Sequence, residues 1–398
     1  MPIRADDLRG LLRLSADAGI GVADIAEALH RAIVAPLGLA IGAKPGRTTG
    51  LTGFVYRRVR QGLRVGGQGG EALVSLLGRL IPAAKTGAQR EALLAALNGV
   101  WGDHLAATGN PLAIESSLRV EGQPLRLVRS ALAARLPAAG DRVLVLVHGL
   151  CMNDLQWRRR GHDHGLMLAR ERGWTTVYLH YNSGRHVWEN GADLATLLET
   201  LVAAWPAPLR ELAILGHSMG GLVARSACYQ AQQRGQVWSK FLTRMVFLGT
   251  PHHGAPLERG GHVVDRLLGV SAYASPFARL GLSRSAGITD LRHGNVQEAD
   301  CRGRERHAQH RDERVPTPLP PNAANFLVAA TTAEQATARR SRWIGDGLVP
   351  VGSALGEHRN PKLALAVPAA HRLVIAGADH WDLLSRPEVS DALRRWLA

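Results

Sequence analysis

The stretch 211–222, ELAILGHSMGGL, constrains the fold of this chain more than any other. Its apolar run, Leu212 to Leu215, reads as a buried strand and ends in Gly216-His217-Ser218-Met219-Gly220. Beyond it, Leu222, Val223, Arg225 and Ser226 continue as a helix. A strand that turns sharply into a helix over a single serine is the layout of a nucleophile elbow. The serine sits on a strained turn with its hydroxyl presented and a helix N-terminus beside it. Glycines are required at 216 and 220 because strand and helix approach too closely for a Cβ. In a chain with 44 glycines among 398 residues the pentapeptide alone says little. Its place between a strand pattern and a helix pattern carries the reading.

The flanking chain repeats the same rhythm. Apolar strand patterns occur at 142–147 (RVLVLV), 175–180 (TTVYLH), 211–215, 244–248 (RMVFL), 325–330 (NFLVAA) and 372–376 (RLVIA). Helix patterns separate them, with Leu194, Leu197, Leu198 and Leu201 on one face and a last helix from Asp382 to Leu393 and Trp396. Such alternation builds a mainly parallel sheet with helices on both faces, and continuous apolar strands are those buried on both sides. Two further strands joined by Glu121-Gly122-Gln123-Pro124 are expected within 112–128. One connection breaks the rhythm: about 75 residues separate Gly249 from Asn325, far more than an ordinary loop. The expectation is an insertion over 250–324, a cap or lid, with helical segments at 263–273 and 277–282 and a charged, solvated part at 302–321.

Residues 1–108 read as helices only. Ile25, Leu29 and Ile33 share one helical face, 71–81 is another helix pattern, and 65–70 (VGGQGG) is a linker. Thr86-x-x-Gln89 is a capping-box pattern ahead of Leu93, Leu94 and Leu97. Arg57, Arg58, Arg60 and Arg64 flank apolar segments there, so a membrane-surface or partner-binding element stands beside the plainer reading of a helical cap. The domain expectation is therefore a helical region at 1–108 and an α/β domain at 109–398.

The chain carries a net charge of +15, which invites a nucleic-acid or anionic-membrane partner. Lysine occurs only at 44, 85, 240 and 362, so the excess is scattered arginine. A generic basic surface is favoured over a nucleic-acid groove. Cys151, Cys228 and Cys301 are odd in number and lack metal-ligand spacing, which argues against a disulfide framework. The opening MPIRADDLRG has no apolar run beside it, and the apolar stretch 32–43 is broken by Pro36. The expectation is a soluble cytoplasmic protein without a secretory signal or a membrane span, with peripheral contact to an anionic membrane as an added possibility.

A serine hydroxyl needs a base within hydrogen-bond reach, and the base needs an orienting carboxylate. In this kind of sheet they follow the serine in the order acid, then histidine. They lie on loops beyond the carboxyl ends of later strands. His380 follows the strand 372–376 and precedes the last helix. His252 and His253 come too early, His371 starts a strand, and His293 lies in the insertion. Asp346 follows the strand 325–330 and sits between Gly345 and Gly347. Asp379 and Asp382 adjoin His380 too closely to reach its Nδ1, and Asp290 and Asp300 fall in the insertion. The oxyanion hole should take the N–H of Met219, directly after the nucleophile, and the N–H of Leu150 in His148-Gly149-Leu150-Cys151, with Cys151 as second choice. A catalytic thiol at Cys151 is disfavoured by a serine with partners already in place. No metal or cofactor is expected: His162-Asp163-His164 and His252-His253 lack i, i+4 spacing or a third ligand.

The stretches LVHGL at 146–150, GHSMGGLVAR at 216–225, FLGTPHHGAP at 247–256, GDGLVP at 345–350 and ADHWDLL at 378–384 resemble the α/β-hydrolase superfamily. More narrowly they resemble its bacterial lipases and GPI inositol-deacylase-like hydrolases. The resemblance spans 141–385 and leaves out 1–108 and 302–321. It implies Ser218 as nucleophile, Asp346 as acid, His380 as base and Leu150 with Met219 at the oxyanion hole, the residues chosen above. A calcium ion found in some such lipases is not carried over, since Asp382 has no identifiable partner carboxylate. The expected function is a serine carboxylic-ester hydrolase acting on an ester or lipid small molecule, with Trp157, Trp188 and the insertion as candidates for an acyl pocket. Acyl transfer by the same three residues is the alternative. A basic membrane- or nucleic-acid-binding protein without turnover is the alternative of another class. Nothing in the sequence bears on oligomeric state.

Overall fold

The computed structural model describes residues 87–255, 285–302, 312–334 and 345–398, with scattered residues between 6 and 17 and between 57 and 65. The expected helices at 22–34, 71–81, 263–273 and 277–282 lie outside the described residues, as does most of the linker after residue 65. The chain divides into two compact units, 1–90 with 105–113, and 91–104 with 114–398. In the smaller unit, Arg90 pairs with the buried Asp7 at 2.6 Å, and Asn110 Nδ2 donates to the Gly10 carbonyl at 3.1 Å. The division between these units falls within helix α1, Ala88–Ala107. The reason lies in residues 91–104, which bond within the larger unit. Asn98 Oδ1 accepts the Ile114 N–H at 2.9 Å, Glu91 pairs with Arg119 at 3.0 Å, and the Gly102 carbonyl accepts Asn182 Nδ2 at 2.9 Å beside a kink at Trp101.

The larger unit is built on one eight-stranded sheet, ordered β2-β1-β4-β3-β5-β6-β7-β8. The strands are β1 Ser117–Val120, β2 Gln123–Pro124, β3 Arg142–Val147, β4 Thr175–His180, β5 Glu211–His217, β6 Leu242–Leu248, β7 Ala324–Thr331 and β8 Arg372–Ala376. The pairs β1–β2 and β1–β4 are antiparallel, and all the others are parallel. The helices are α2 Arg129–Arg135, α3 His164–Arg172, α4 Val187–Ala204, α5 Met219–Arg234, α6 Ala286–His293, α7 Val351–Ala354 and α8 Pro387–Trp396. This is the α/β-hydrolase fold: a mainly parallel sheet with flanking helices. The two-faced burial expected of its central strands is met, since every residue from Val143 to Val147 and from Leu212 to Leu215 is at most 1 % exposed. Each such aliphatic side chain contributes roughly 1.5–3 kcal/mol on leaving water.

The strand order also fixes where the chemistry can sit. From β3 the chain moves outward to β4, then returns past β3 to β5 and proceeds the other way. The carboxyl ends of β3 and β5 therefore flank the point where the winding reverses, the place where ligands enter such sheets. Register brings the two ends level, with Val147 opposite Gly216 and, one strand on, His217 opposite Leu248. Among the described residues no helix is long and apolar enough to cross a membrane.

Candidate active site

Ser218 occupies the crest between β5 and α5. Its φ of 54° and ψ of −126° are a left-handed conformation that a residue with a Cβ rarely adopts, at a cost on the order of 1–3 kcal/mol. The surroundings hold it there. The Ser218 N–H donates to the Leu248 carbonyl at 2.8 Å, and its carbonyl accepts the Gly221 N–H at 3.1 Å. Helix α5 presses so closely on β3 that a Cβ on Gly220 would lie 2.1 Å from the Val147 carbonyl oxygen. Position 220 therefore admits only glycine, and the strain at Ser218 cannot relax by moving the helix away. The Ser218 side chain makes no capping bond to its own helix.

His380 follows β8 and is 1 % exposed. Its Nδ1–H donates to Asp346 Oδ2 at 2.6 Å, and its backbone N–H donates to the Asp346 carbonyl at 3.1 Å. The other ring nitrogen, Nε2, is buried with no hydrogen-bond partner among the described residues. An imidazole held by a carboxylate at Nδ1 with Nε2 left bare is a proton acceptor awaiting a donor. Asp346 is itself pinned, because its Oδ1 accepts the N–H groups of Leu348 at 3.0 Å and Val349 at 2.8 Å. Gly345 and Gly347, with φ of 58° and 91°, let the chain close that turn. The rivals fall elsewhere. Asp379 caps the turn at Trp381, Asp382 pairs with Arg160 at 2.9 Å, and Asp290 pairs with His186 at 2.9 Å.

The loop after β3 reaches the serine directly: a Cβ on Gly149 would lie 3.0 Å from Ser218 Cβ. On this loop the Cys151 N–H donates to Ser183 Oγ at 3.0 Å, which removes Cys151 as an oxyanion donor. The Leu150 N–H has no acceptor among the described residues. Met219 opens α5, so its N–H has no partner within the helix. Burial pushes the Cys151 thiol up to about 12, so a nucleophilic thiolate is not available there. Trp157 is wholly buried and meets His217 edge-on with ring centroids 6.3 Å apart. It belongs to the core and not to an open acyl pocket. Trp188 stacks on His186 at 6.1 Å.

Two contributors escaped the sequence reading. His217, inside the serine motif, donates from Nε2 to the His380 carbonyl at 3.2 Å, and the two rings lie 4.7 Å apart. Burial first, then the nearby His380, holds His217 well below its ordinary titration range. It thus serves as a neutral strut. Ser183, which positions the loop carrying Leu150, has no sequence signal, because its role depends on a contact across 32 residues. The histidine pairs considered for metal are otherwise engaged. His162 Nε2 and His164 Nδ1 hydrogen-bond each other at 2.9 Å. His252 and His253 face the guanidinium groups of Arg225 at 3.3 Å and Arg314 at 3.2 Å, which repel a cation.

The sheet order, with the serine turn at its switch point and the neighbouring histidine–aspartate pair, is that of the α/β-hydrolase fold. Within it, residues 138–276, about a third of the chain, match the family described as the PGAP1-like alpha/beta domain. No curated protein matches the sequence. Similar solved structures include the mature lipase BlEst2 of Bacillus licheniformis, 18 % identical over 71 % of this chain and 98 % of that one, with a TM-score of 0.42. The Pyrococcus furiosus esterase Pf2001 is 16 % identical over 66 % and 83 %, with a TM-score of 0.38. Lipase B of Aspergillus fumigatus is 12 % identical over 69 % and 54 %, with a TM-score of 0.37.

Proposed function

We propose that the protein is a serine carboxylic-ester hydrolase working through an acyl-enzyme, with Ser218, Asp346 and His380 as its triad. The observation that carries this reading is the buried His380, held at 2.6 Å by Asp346 through Nδ1 and bare at Nε2. In the reaction, Nε2 takes the Ser218 hydroxyl proton as the oxygen attacks the ester carbonyl. The carbonyl oxygen becomes an anion and is met by the N–H groups of Met219 and Leu150. His380 returns the proton to the departing alcohol. Water then attacks the acyl-serine with His380 again as base, which releases the acid and restores the serine. Asp346 keeps the imidazole in the Nδ1–H tautomer and stabilises the imidazolium. The strained turn at 218 presents the hydroxyl to substrate without a conformational change at the moment of attack.

The test is Ser218→Ala assayed on short p-nitrophenyl esters, together with labelling by a fluorophosphonate probe. Loss of the nucleophile should lower kcat by about 10⁴-fold or more and abolish labelling. A variant that labels as the parent does would overturn the assignment.

A further inference from the structure

Three side chains from separate stretches of the chain converge on one point. His186 is the residue before α4, Asp290 lies on α6, and Cys301 follows the short 3-10 turn Glu298–Asp300. Asp290 Oδ2 lies 2.9 Å from His186 Nδ1. Cys301 Sγ lies 3.3 Å from Asp290 Oδ1 and 3.7 Å from His186 Nδ1. Among the described residues this is the one group of three such side chains whose donor atoms all lie within 4.8 Å of one another.

We propose that His186, Asp290 and Cys301, none of them a residue of the proposed triad, form a binding site for a divalent zinc-type cation. The donor set is one imidazole nitrogen, one carboxylate oxygen and one sulfur, which selects a borderline-soft ion over calcium or magnesium. Tetrahedral zinc with its usual bond lengths sets neighbouring donors ~3.3–3.7 Å apart. The 3.7 Å between Cys301 Sγ and His186 Nδ1 lies in that range, and with one oxygen of Asp290 the three donor atoms all lie within 4.8 Å of one another, so side-chain rotations admit the ion. The supports that orient ligands in such sites are also present. The carboxylate of Asp290 accepts the Val187 N–H at 2.8 Å and Asn295 Nδ2 at 3.0 Å, and the same Asn295 amide lies 3.6 Å from Cys301 Sγ. Asp290 is buried, whereas the His186 side chain is 29 % exposed, so the cluster lies at the edge of the buried region.

Without a cation the cluster is held by protons. Burial and the neighbouring Asp290 charge push the Cys301 thiol up, so it stays S–H and is not a nucleophile. Binding displaces that proton to solvent as sulfur becomes a thiolate ligand. Loss of the thiol proton accounts for one proton released per ion. The ion would clamp the segment after β6 to the loop after β4. That loop already receives the Gly287 N–H at the Gly184 carbonyl, 3.0 Å away, and carries Ser183. The site therefore steadies the segment that positions the Leu150 loop and takes no part in the bond-breaking step.

The test uses the full chain stripped with a chelator. Zinc titrated calorimetrically in two buffers of different ionisation heat should bind at one ion per chain and release about one proton. Cobalt(II) should give a near-ultraviolet sulfur-to-metal band, and zinc should protect one thiol from alkylation. Cys301→Ser, checked for folding by circular dichroism, should abolish the cobalt band and weaken zinc by about 100-fold or more, at least what loss of an outer-sphere partner costs. No stoichiometric binding by the parent, no protection of its thiol, or undiminished binding by Cys301→Ser would each overturn the site. None of these readouts depends on ester hydrolysis.

Discussion

Asp346→Asn separates the chemistry of the acid from its structural duties. The two oxygens of Asp346 have different tasks: Oδ1 accepts two backbone N–H groups at 3.0 and 2.8 Å, and Oδ2 accepts the His380 Nδ1–H at 2.6 Å. An asparagine must keep its one oxygen on the Leu348 and Val349 amides, since turning it away would strand two N–H groups at about 1–3 kcal/mol each. Its NH₂ then points at His380 Nδ1. A donor there forces His380 into the Nε2–H tautomer, which cannot take the Ser218 proton. The expected loss in kcat is about 10⁴-fold, the size seen when the equivalent exchange is made in a serine triad, or about 5.5 kcal/mol of barrier. Stability should change by less than ~1 kcal/mol, because size and backbone bonds are preserved. The assay is kcat on p-nitrophenyl butyrate, with the thermal midpoint measured on the same preparation. A folded variant retaining more than a tenth of the parent activity would refute the tautomer reasoning and Asp346 as the acid.

Two further outcomes follow from the same geometry. Burial lowers His148 and His164 to about 3 in the folded chain, against about 6.5 when unfolded. The unfolded state binds the extra protons, so their stabilisation is complete above pH 6.5 and is lost as pH falls toward 3. By pH 5 each costs about 2 kcal/mol, and urea midpoints that coincide at pH 7.5 and 5.0 would contradict this. Ser183→Ala should leave the buried Cys151 N–H without its acceptor, at about 1–3 kcal/mol of stability. It should also lower kcat more than it changes KM, because the Leu150 N–H is displaced from the oxyanion. Steady-state kinetics on one ester would show this, and a change confined to KM would argue against that role.

Much of the fold was readable because its strands are buried on both faces. Such strands must be continuous apolar runs, and β3, β4 and β8 begin and end where those runs do. The hairpin was read too long at its start and its second strand too late: 112–116 pairs with no strand, and β2 is Gln123–Pro124, inside the expected turn, in place of 125–128. The candidate site was readable for a related reason. A nucleophile elbow and chain order restrict Ser218, Asp346 and His380 to the carboxyl ends of particular strands, and local sequence marks those ends with Gly216, Gly220, Gly345 and Gly347.

What the sequence alone determined is therefore the local and the ordered: the elbow, the strand rhythm and the succession of serine, acid and histidine. Only the tertiary structure decided which atoms meet. It placed Asp346 Oδ2 on His380 Nδ1, and it gave the Cys151 N–H to Ser183. It drew the middle of α1 into the larger unit, because Asn98 bonds Ile114 and Gly102 bonds Asn182. It also gathered His186, Asp290 and Cys301, whose spacings of 104 and 11 residues match no ligand pattern. The physical reason is common to all four. Hydrogen bonds and ligand sets act over about 3 Å in space, whereas sequence patterns report only periods along one strand or helix.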